Sequence, residues 1–489
     1  MHGINRARLA SVKHLETGLS RRQFLAMGGT LAAGGLLPRG TLASATTPEI
    51  ILQIAPCRIE VAAGHFIQTT AYNGSAPGPL LRIPEGRPVQ VKIRNESATE
   101  EYVHWHGFSV DAALDGTAEE NSRSVEPSSQ LSYILPPQSP GSYYVHSHAM
   151  AHHDMGAGMY GGQFAFVHVQ PTREPGDYDQ EIFLSSHEWE PYMVNETQEE
   201  QSIEEMHHLR IDPEEDETPG EGGWDIRYRL ASLNGKALGH GEPIRVKEGE
   251  RILLHLLNAS ATENIQIALP SHEFIIQALD GHRVPNPATV AVLDLGVGER
   301  IDAIVEMGAP GVWILGSTDE EARNMGLGVV IEYAGRQGDP VWTDTVALDW
   351  DYTLFGSKAT ERVAEEIVVA LRRLPLTEGG NEKWMMVSLV NGKEKGPIVL
   401  QQGTPYRLRI SNESNEWHPM HLHRHAFELT CFRGKATAGL LKDTVVVPPY
   451  DKVEVFLTPQ QTGPALFHCH NQMHMDAGLQ TLFTVKPND

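Results

Sequence analysis

Cysteine, long apolar runs and basic residues are all scarce in this chain. Its 489 residues include only three cysteines, which allow a single disulfide at most. The longest apolar run, rich in Gly, Ala and Leu and ending at Leu37, has about 14 residues, fewer than the ~20 that a membrane-spanning helix needs. The sequence therefore predicts no transmembrane segment.

The N-terminus carries a targeting signal. Residues 20–25 read Ser-Arg-Arg-Gln-Phe-Leu and match the twin-arginine export motif; the apolar run follows them, and Ala43-Ser44-Ala45 is typical of a cleavage site. We expect residues 1–45 to be removed. The mature protein should then be periplasmic or secreted, with the twin-arginine export machinery as a partner.

Acidic residues outnumber basic ones. Without residues 1–45, 62 Asp and Glu remain against 33 Lys and Arg, a net charge of −29. A surface of this sign repels nucleic acid and anionic lipid, so we expect neither as a partner. Many of the acidic residues lie in the segment 196–223, which also contains Met206-His207-His208. We interpret this segment as an exposed insert.

Turn residues and short strand patterns are abundant. The 46 glycines and 31 prolines separate short alternating or apolar segments such as PVQVKIRN, YYVHSH and KVEVFL. This pattern is typical of an all-β sandwich protein. Only residues 359–373 have a pattern that suits a helix, and they suit the first strand of a last domain equally well.

One ten-residue pattern occurs three times. Each copy has a glycine, a strand-like apolar run and an asparagine nine positions after the glycine, as in Gly86–Asn95, Gly249–Asn258 and Gly403–Asn412. An Asn-Gly turn precedes each copy, at Asn73, Asn234 and Asn391. The spacings of 163 and 154 residues are the size of one compact domain. We therefore predict three related β-domains.

The most informative segment is His468-Cys469-His470, followed by His474. A soft thiolate with imidazoles favours copper in an electron-transfer centre. Neighbouring side chains of a strand point to opposite faces, so His468 and His470 cannot bind the metal that Cys469 binds. They predict a second metal site, joined to the first by covalent bonds through which single electrons could pass.

Three further histidine groups support metal binding. They are His104-Trp105-His106, His146-Ser147-His148 and His418-Pro419-Met420-His421-Leu422-His423. In a His-x-His pair both imidazoles emerge on one face of a strand, about 7 Å apart, which suits adjacent metal ions. One such pair could be an ordinary surface or core doublet. Four groups in one chain, one of them with a cysteine, favour metal centres.

A second repeated element indicates which domains hold metal. Gly141 and Gly463 each lie five residues before a histidine, whereas the equivalent Gly311 is followed at that distance by a glycine. The middle domain has therefore lost its histidines. We predict that the first and last domains meet face to face to build the metal site. The middle domain should serve mainly as a spacer and as one wall of a substrate cleft.

Together the four histidine groups resemble the copper-binding motifs of the multicopper oxidases, the family of laccases, bilirubin oxidases and cuprous oxidases. The family patterns HxHG, HxH, HPxHLH and HCHxxxHxxxxM/L/F are all complete here. The resemblance implies three consecutive cupredoxin-like Greek-key β-sandwich domains, which we place at residues 46–172, 173–340 and 341–489. It also implies four copper ions, one of type 1, one of type 2 and two of type 3.

The resemblance assigns ligands to each copper. Type 1 copper would be held by His418, Cys469 and His474, and type 2 copper by His104 and His421. The type 3 coppers would share His106, His146, His148, His423, His468 and His470. Leu479 occupies the axial position, where it cannot ligate, as in higher-potential members of the family. Arg424 precedes His425 where many laccases have Gly-His, a departure that leaves the ligands intact.

The implied activity is oxidation of a reducing substrate by O₂. The substrate would dock near the type 1 site, and electrons would pass from Cys469 to His468 and His470 until four of them reduce O₂ to water. Asp115 and Asp476 stand where the family places proton donors. Each also has a simpler interpretation, since Asp115-Gly116 suits a turn and Asp476 could merely orient a histidine.

The substrate has two candidate classes. Phenols and aromatic amines, the laccase-like donors, are favoured by Leu479 and by the lack of a long Met-rich helix in the sequence. Cu(I) or Fe(II) is favoured by thioethers and imidazoles near the motifs, although methionines there also serve packing; these residues are Met150, His152, His153, Met155, Met159, Met473 and Met475. A copper-free scaffold is a third function, which the complete ligand set disfavours.

Two cysteines lie outside the metal motifs. Cys57 and Cys431 could form a disulfide only if the first and last domains brought their Cα atoms within about 6 Å. We expect two separate buried thiols.

Overall fold

Strands dominate the computed structural model, which describes residues 48–149, 155–173, 176–195, 224–344, 350–359, 362–374, 383–390 and 393–488. Helices in these ranges are short: α1 (Ala112–Asp115), α2 (Glu320–Met325), α3 (Gln472–Asp476) and a 3₁₀ turn (Tyr352–Leu354). None of the described helices has the length and apolarity to span a bilayer. The all-β prediction is confirmed.

Several predicted features lie outside the described residues. They are the export signal at residues 1–45, the acidic insert at 196–223, the turn at Asn391, and Met150, His152 and His153.

The N-terminal strands form two four-stranded sheets. Their orders are β2-β1-β4-β6 and β3-β8-β7-β5, with β1 antiparallel to β2 and parallel to β4. The second sheet holds the first two histidine pairs, on β5 and at the end of β7. The bounds are β1 (Glu49–Ala62), β2 (His65–Tyr72), β3 (Leu81–Pro84), β4 (Val89–Asn95), β5 (Val103–His106), β6 (Ser129–Leu135), β7 (Gly141–Ser147) and β8 (Phe164–Gln170).

The middle strands form a seven-stranded and a five-stranded sheet. The first has the order β12-β9-β14-β20-β16-β17, with β18 beside β16; the second has the order β13-β22-β21-β15-β19. Strands β10 and β11 form a separate pair. The bounds are β9 (Gln180–Trp189), β10 (Tyr192–Asn195), β11 (Trp224–Arg227), β12 (Leu230–Leu233), β13 (Ile244–Val246), β14 (Arg251–Asn258), β15 (Ile265–Ala268), β16 (Phe274–Leu279), β17 (His282–Arg283), β18 (Thr289–Val290), β19 (Val292–Leu295), β20 (Arg300–Glu306), β21 (Val312–Ser317) and β22 (Gly328–Tyr333).

The C-terminal strands repeat this arrangement, in the orders β25-β24-β23-β27-β32-β29-β30 and β26-β34-β33-β28-β31. The stretch at 359–373 that suited either a helix or a strand contains strand β23. The bounds are β23 (Glu365–Arg373), β24 (Trp384–Val390), β25 (Lys393–Lys395), β26 (Ile398–Gln401), β27 (Tyr406–Asn412), β28 (His418–Leu422), β29 (Phe427–Phe432), β30 (Lys435–Lys442), β31 (Thr444–Val447), β32 (Lys452–Leu457), β33 (Gly463–Cys469) and β34 (Gln480–Lys486).

The repeated asparagine has the same structural role in all three copies. Asn95, Asn258 and Asn412 end β4, β14 and β27 and are buried. Each Nδ2 donates to two or more backbone carbonyls that follow, and each Oδ1 accepts the backbone N–H of the residue two positions on. These bonds fix the chain where it leaves the strand. The domain boundaries at 172/173 and 340/341 stay predictions.

The hydrophobic core continues to the metal motifs. One cluster of buried side chains fills the N-terminal sandwich around Leu52 and Trp105. A larger cluster runs through the middle and C-terminal sandwiches, and it includes Cys469 and Leu479, both of which are fully buried. The sulfur of Cys469 therefore lies in a dry, apolar environment.

The two remaining cysteines are separate thiols, as expected, but they are half-buried and not fully buried. Cys57 lies in the middle of β1, opposite Thr69 of β2. Cys431 lies at a register shift in the pairing of β29 with β30. Partial burial raises the pKa of both thiols.

Candidate metal centres

The first centre surrounds the sulfur of Cys469. Its Sγ lies 3.6 Å from Nδ1 of His418 and 3.6 Å from Nδ1 of His474, and these two nitrogens are 3.2 Å apart. Antiparallel pairing of β28 with β33 sets Met420 opposite Cys469, so His418, two residues earlier, faces the same side. The three predicted type 1 ligands therefore meet at one buried point.

Local bonds fix how the two imidazoles point. Ser414 Oγ donates to Asn412 Oδ1 at 2.8 Å and lies 2.9 Å from Nε2 of His418, so it accepts that N–H and leaves Nδ1 free for a metal. His474 lies on α3, which begins at the N-cap Asn471. The ring of Trp384 packs on both imidazoles, with centroid distances of 4.8 and 4.6 Å.

Leu479 is buried beside this centre. Its N–H donates to the carbonyl of His474 at 2.9 Å, and its carbonyl accepts the N–H of Cys469 at 3.0 Å. The aliphatic side chain offers a metal no donor atom.

Eight imidazoles gather in the second centre. The ring of His104 stacks on His423 with a centroid distance of 4.0 Å, and His106 stacks on His421 at 3.7 Å. The N-terminal and C-terminal segments therefore meet face to face, as predicted. The full set is His104, His106, His146, His148, His421, His423, His468 and His470.

The alternation predicted for the His-Cys-His segment is confirmed. His468 Nε2 lies 3.0 Å from His423 Nε2, and the ring of His470 lies 5.0 Å from that of His106. Both belong to the eight-imidazole centre, whereas Cys469 faces the first centre.

In most of these rings one nitrogen lies within hydrogen-bond distance of an oxygen, and the other nitrogen has no hydrogen-bond partner among the described residues. The Nδ1 atoms of His104, His146, His421 and His468 lie 2.8–2.9 Å from backbone carbonyl oxygens. Within the described part of the chain, the other ring nitrogen is buried with no hydrogen-bond partner in five of the histidines. These atoms are Nε2 of His104, His146 and His421 and Nδ1 of His106 and His470. An orphaned buried nitrogen costs about 1–3 kcal/mol, whereas a metal ion satisfies it. The donor set therefore fits copper.

Burial keeps His468, His474 and Cys469 neutral until metal binds. It lowers the pKa of His468 and His474 to about 3 and raises the pKa of the Cys469 thiol. Neutral imidazoles are ready to ligate, but the thiol proton has to be displaced by the metal.

Asp115 contacts the second centre directly. Its Oδ2 lies 2.7 Å from His423 Nδ1 and 3.2 Å from His104 Nδ1. Helix α1 positions this carboxylate, and the left-handed residue Gly116 (φ +88°) ends the helix. The predicted proton donor thus touches two ligand rings. Asp476, on α3, accepts a hydrogen bond from Gln472 Nε2 at 2.8 Å, and its proton role stays a prediction.

A second carboxylate, Glu120, lies beside Asp115 and was missed in the sequence. Its Oε1 accepts the backbone N–H of Leu466 at 2.7 Å and lies 3.6 Å from His423 Nδ1. Burial and the negative Asp115 outweigh the attraction of Arg424 and raise the pKa of Glu120 to about 9.

Arg424, the departure from the laccase pattern, is the partner of Glu120. The backbone of Arg424 has φ +63°, a left-handed value that favours glycine. Its side chain is buried, with Nε 2.8 Å from Glu120 Oε2, and it donates to the carbonyls of Thr462 and Pro464. A buried contact between a guanidinium and a carboxyl group therefore occupies a position whose backbone favours glycine.

The middle segment also supports the second centre, a contact that was not part of its predicted role as mainly a spacer and one wall of a substrate cleft. Arg300, on β20, donates two hydrogen bonds to Asp443, at 2.8 and 2.5 Å, and Asp443 Oδ1 lies 3.0 Å from His106 Nε2. From the N-terminal segment, the OH of Tyr144 on β7 lies 2.8 Å from His470 Nε2. No motif marks these residues in the sequence.

Comparisons with known proteins agree with this geometry. Models of multicopper oxidases match three stretches of the chain, residues 54–169, 215–332 and 373–489. The chain belongs to the multicopper oxidase family. The predicted three cupredoxin-like domains, the use of copper and the oxidoreductase class are thereby confirmed.

Relatives span most of this multicopper oxidase. Multicopper oxidase MmcO of Mycobacterium tuberculosis is 27% identical over 460 residues, which cover 90% of this chain and 86% of that protein. Copper resistance protein A of Pseudomonas syringae pv. tomato is 28% identical over 60% of this chain and 53% of its own length. The crystal structure of a laccase from Botrytis aclada has a TM-score of 0.69 at 19% identity, covering 90% of this chain and 87% of that one, and shows the same fold.

Proposed function

We propose that this multicopper oxidase is laccase-like: it oxidises phenols or aromatic amines one electron at a time and reduces O₂ to water. The observation that carries the proposal is the position of Cys469. Its sulfur lies in a site of two imidazoles, and its chain neighbours His468 and His470 lie in a second site of eight.

Four copper ions would occupy these centres. His418, Cys469 and His474 would hold the type 1 ion, and His104 and His421 the type 2 ion. The two type 3 ions would share His106, His146, His148, His423, His468 and His470. When bound, copper supplies one-electron oxidation at the sulfur site and the four-electron reduction of O₂ among the imidazoles.

The surroundings of the sulfur site favour an aromatic donor. Leu479 adds no thioether to the ligands, which is typical of a higher reduction potential. Trp417, next to His418, is 44% exposed, and Trp384 packs on both imidazoles. The exposed indole ring of Trp417 gives a flat phenol or aniline a surface on which to stack.

Asp115 would hold the proton that oxygen reduction consumes. Its Oδ2 lies 2.7 Å from His423 Nδ1, and its Oδ1 is buried without a hydrogen-bond partner among the described residues. A carboxyl with one free oxygen at this point can pass a proton inward. Asp476 would be a second donor, near the end of α3.

A cuprous or ferrous metallo-oxidase is the second candidate, because an acidic cavity lies beside α3. The cavity has a volume of about 420 Å³ and is lined by Glu188, Asp225 and Glu263. Tyr228 also lines the cavity, its OH lies 2.8 Å from Thr262 Oγ1, and Asn471, the N-cap of α3, donates to the Thr262 carbonyl at 3.3 Å. The similarity to copper resistance protein A also supports a metal substrate.

The export signal at residues 1–45 supports a periplasmic or secreted location. Twin-arginine export moves folded proteins, which suits a protein whose metal centre needs both ends of the fold.

Oxygen uptake by the copper-loaded protein tests the substrate class. Uptake should be measured with a phenol, with Cu(I) and with Fe(II) at equal concentration, alongside the copper content. We expect about four copper ions per chain and the fastest uptake with the phenol.

A His418→Phe variant is the matched control, because it removes a ligand of the sulfur site and leaves the eight-imidazole centre complete. It should lose the uptake that each donor supports. Faster uptake with Cu(I) would replace the laccase-like proposal by the metallo-oxidase, and a single bound copper would refute both.

A further inference from the structure

A second group of histidines and carboxylates lies between the N-terminal and middle sandwiches, outside all four copper motifs. His168 on β8, Glu181 on β9 and His255 on β14 converge at the wall of a cavity of about 650 Å³. Both histidines are buried, with exposed fractions of 5% and 2%. The copper centres use none of these three residues.

The three donor atoms have the spacing of metal ligands. Glu181 Oε1 lies 3.4 Å from His255 Nε2 and 3.7 Å from His168 Nε2. Two ligands bound tetrahedrally to one ion at about 2.1 Å are about 3.4 Å apart. Within the described residues, His255 Nε2 has no hydrogen-bond partner, and the rings of His255 and His168 lie 5.1 Å apart. The nitrogen of His255 that faces Glu181 is therefore free to bind a metal ion.

Groups around His255 orient its ring in the way that carboxylates orient the histidine ligands of metal ions. Its Nδ1 lies 2.7 Å from Asp302 Oδ1, which also accepts a hydrogen bond from Ser142 Oγ at 2.6 Å. A histidine whose outer nitrogen donates to a carboxylate presents its inner nitrogen to a metal. The ring of Phe183 stacks on His255 with a centroid distance of 4.3 Å and an interplanar angle of 9°, which fixes the ring.

The charge of the group suits a dication. Arg82 Nη2 donates to Glu181 Oε2 at 2.9 Å, which leaves Oε1 for the two imidazoles. With neutral imidazoles, Arg82, Glu181 and Asp302 leave one net negative charge. Two imidazoles and one carboxylate are a ligand set for divalent zinc or copper, and hard cations such as Mg²⁺ prefer oxygen alone.

We propose that His168, His255 and Glu181 form a binding site for a divalent transition-metal cation between the first two sandwiches, separate from the copper centres. The cavity gives the cation a path from solvent and leaves a coordination position for water. Because β8 belongs to the N-terminal sheet and β9 and β14 to the middle sheet, the bound ion ties the two together.

Binding should release one proton. Although burial lowers the pKa of His255, Asp302 and Glu181 outweigh it and raise the pKa to about 9, so a proton stays on His255 at neutral pH without metal. The pKa of His168 is lowered to about 4 by burial and by the positive His255, and that of Glu181 is lowered to about 2, because His255 and Arg82 together outweigh burial. Only His255 therefore has a proton to lose between pH 6 and 8, and the affinity should rise close to tenfold per pH unit there.

Zinc is the probe, because it adds no redox signal to the copper centres. The copper-loaded protein is dialysed against micromolar Zn²⁺ at pH 6, 7 and 8, and both metals are counted by mass spectrometry. We expect one zinc per chain, unchanged copper and the stated pH dependence. X-ray absorption at the zinc edge should show nitrogen and oxygen neighbours and no sulfur.

His168→Gln should weaken zinc binding at least tenfold and leave the copper content unchanged. His272→Gln is the matched control, because His272 is a buried histidine of the middle sandwich whose ring nitrogens lie against the carbonyl of Pro270 and the hydroxyl of Tyr333. It should bind zinc like the wild type.

The wild-type measurements decide the matter if His168→Gln fails to fold. Three results with the wild-type protein would overturn the proposal. They are the absence of bound zinc, zinc binding that does not depend on pH, and the loss of one copper ion for each zinc ion bound. Equal zinc binding by a folded His168→Gln variant would overturn it as well.

Discussion

Replacing Arg424 by glycine should destabilise this protein, although glycine suits the backbone there. The left-handed φ of +63° costs a residue with a side chain about 1–2 kcal/mol, which glycine would recover. The same change removes a buried guanidinium from Glu120 and from the carbonyls of Thr462 and Pro464. Loss of these bonds and of the packing costs about 2–4 kcal/mol. The midpoints of the two ranges leave an expected net loss of about 1.5 kcal/mol at pH 7.

The loss should grow above pH 9. The pKa of Glu120 is raised to about 9 in the folded protein, above its unfolded value, so its contribution to stability is complete in acid and falls as pH rises through 9. Without Arg424 this pKa rises further, and the variant goes on losing stability where the wild type has levelled off. Above pH 9 each further pH unit therefore costs the variant up to about 1.4 kcal/mol relative to the wild type.

Thermal unfolding of the copper-loaded protein at pH 7 and pH 9.5 is the assay. Arg433→Gly is the matched control, because Arg433 has a similar φ of +48° but is exposed, and its guanidinium lies over the rings of Trp417 and Phe432. It should be neutral or slightly stabilising. If Arg424→Gly were as stable as the wild type at both pH values, relief of backbone strain would offset the lost contacts of Arg424 and the reasoning would be refuted.

Three further substitutions have definite expected outcomes. Asp115→Asn keeps a hydrogen-bond acceptor but cannot carry a proton, so the rate of oxygen consumption should fall 100-fold or more; an unchanged rate across pH would remove Asp115 from proton delivery. Leu479→Met should cost less than about 1.5 kcal/mol and lower the reduction potential of the sulfur site, measured by redox titration; a constant potential would show that position 479 is not axial. Gly116→Ala would place a Cβ 2.0 Å from the carbonyl oxygen of Val103, so unfolding should begin several degrees lower, and a wild-type melting curve would contradict so close an approach of the two backbone segments.

Relations between residues close in the chain could be predicted from the sequence. Alternation along a strand places Cys469 on one face and His468 and His470 on the other, whatever the rest of the fold does. The repeated Gly-to-Asn segment predicted three similar sandwiches. The structure explains the repeat, because the buried asparagine makes equivalent hydrogen bonds in every copy. The histidine pairs follow the same rule of two-residue spacing.

Only the tertiary structure decided what surrounds those ligands. Asp443 reaches His106 across 337 positions of the chain, and Arg300 reaches Asp443 across 143. No spacing rule links residues so far apart, because their contact depends on how whole sandwiches pack. Arg424 shows the same limit: the sequence marked it as unusual, but only the fold supplied Glu120 as its partner. The metal ligands are thus set by local strand geometry, whereas the charges that orient them depend on the packing of distant strands.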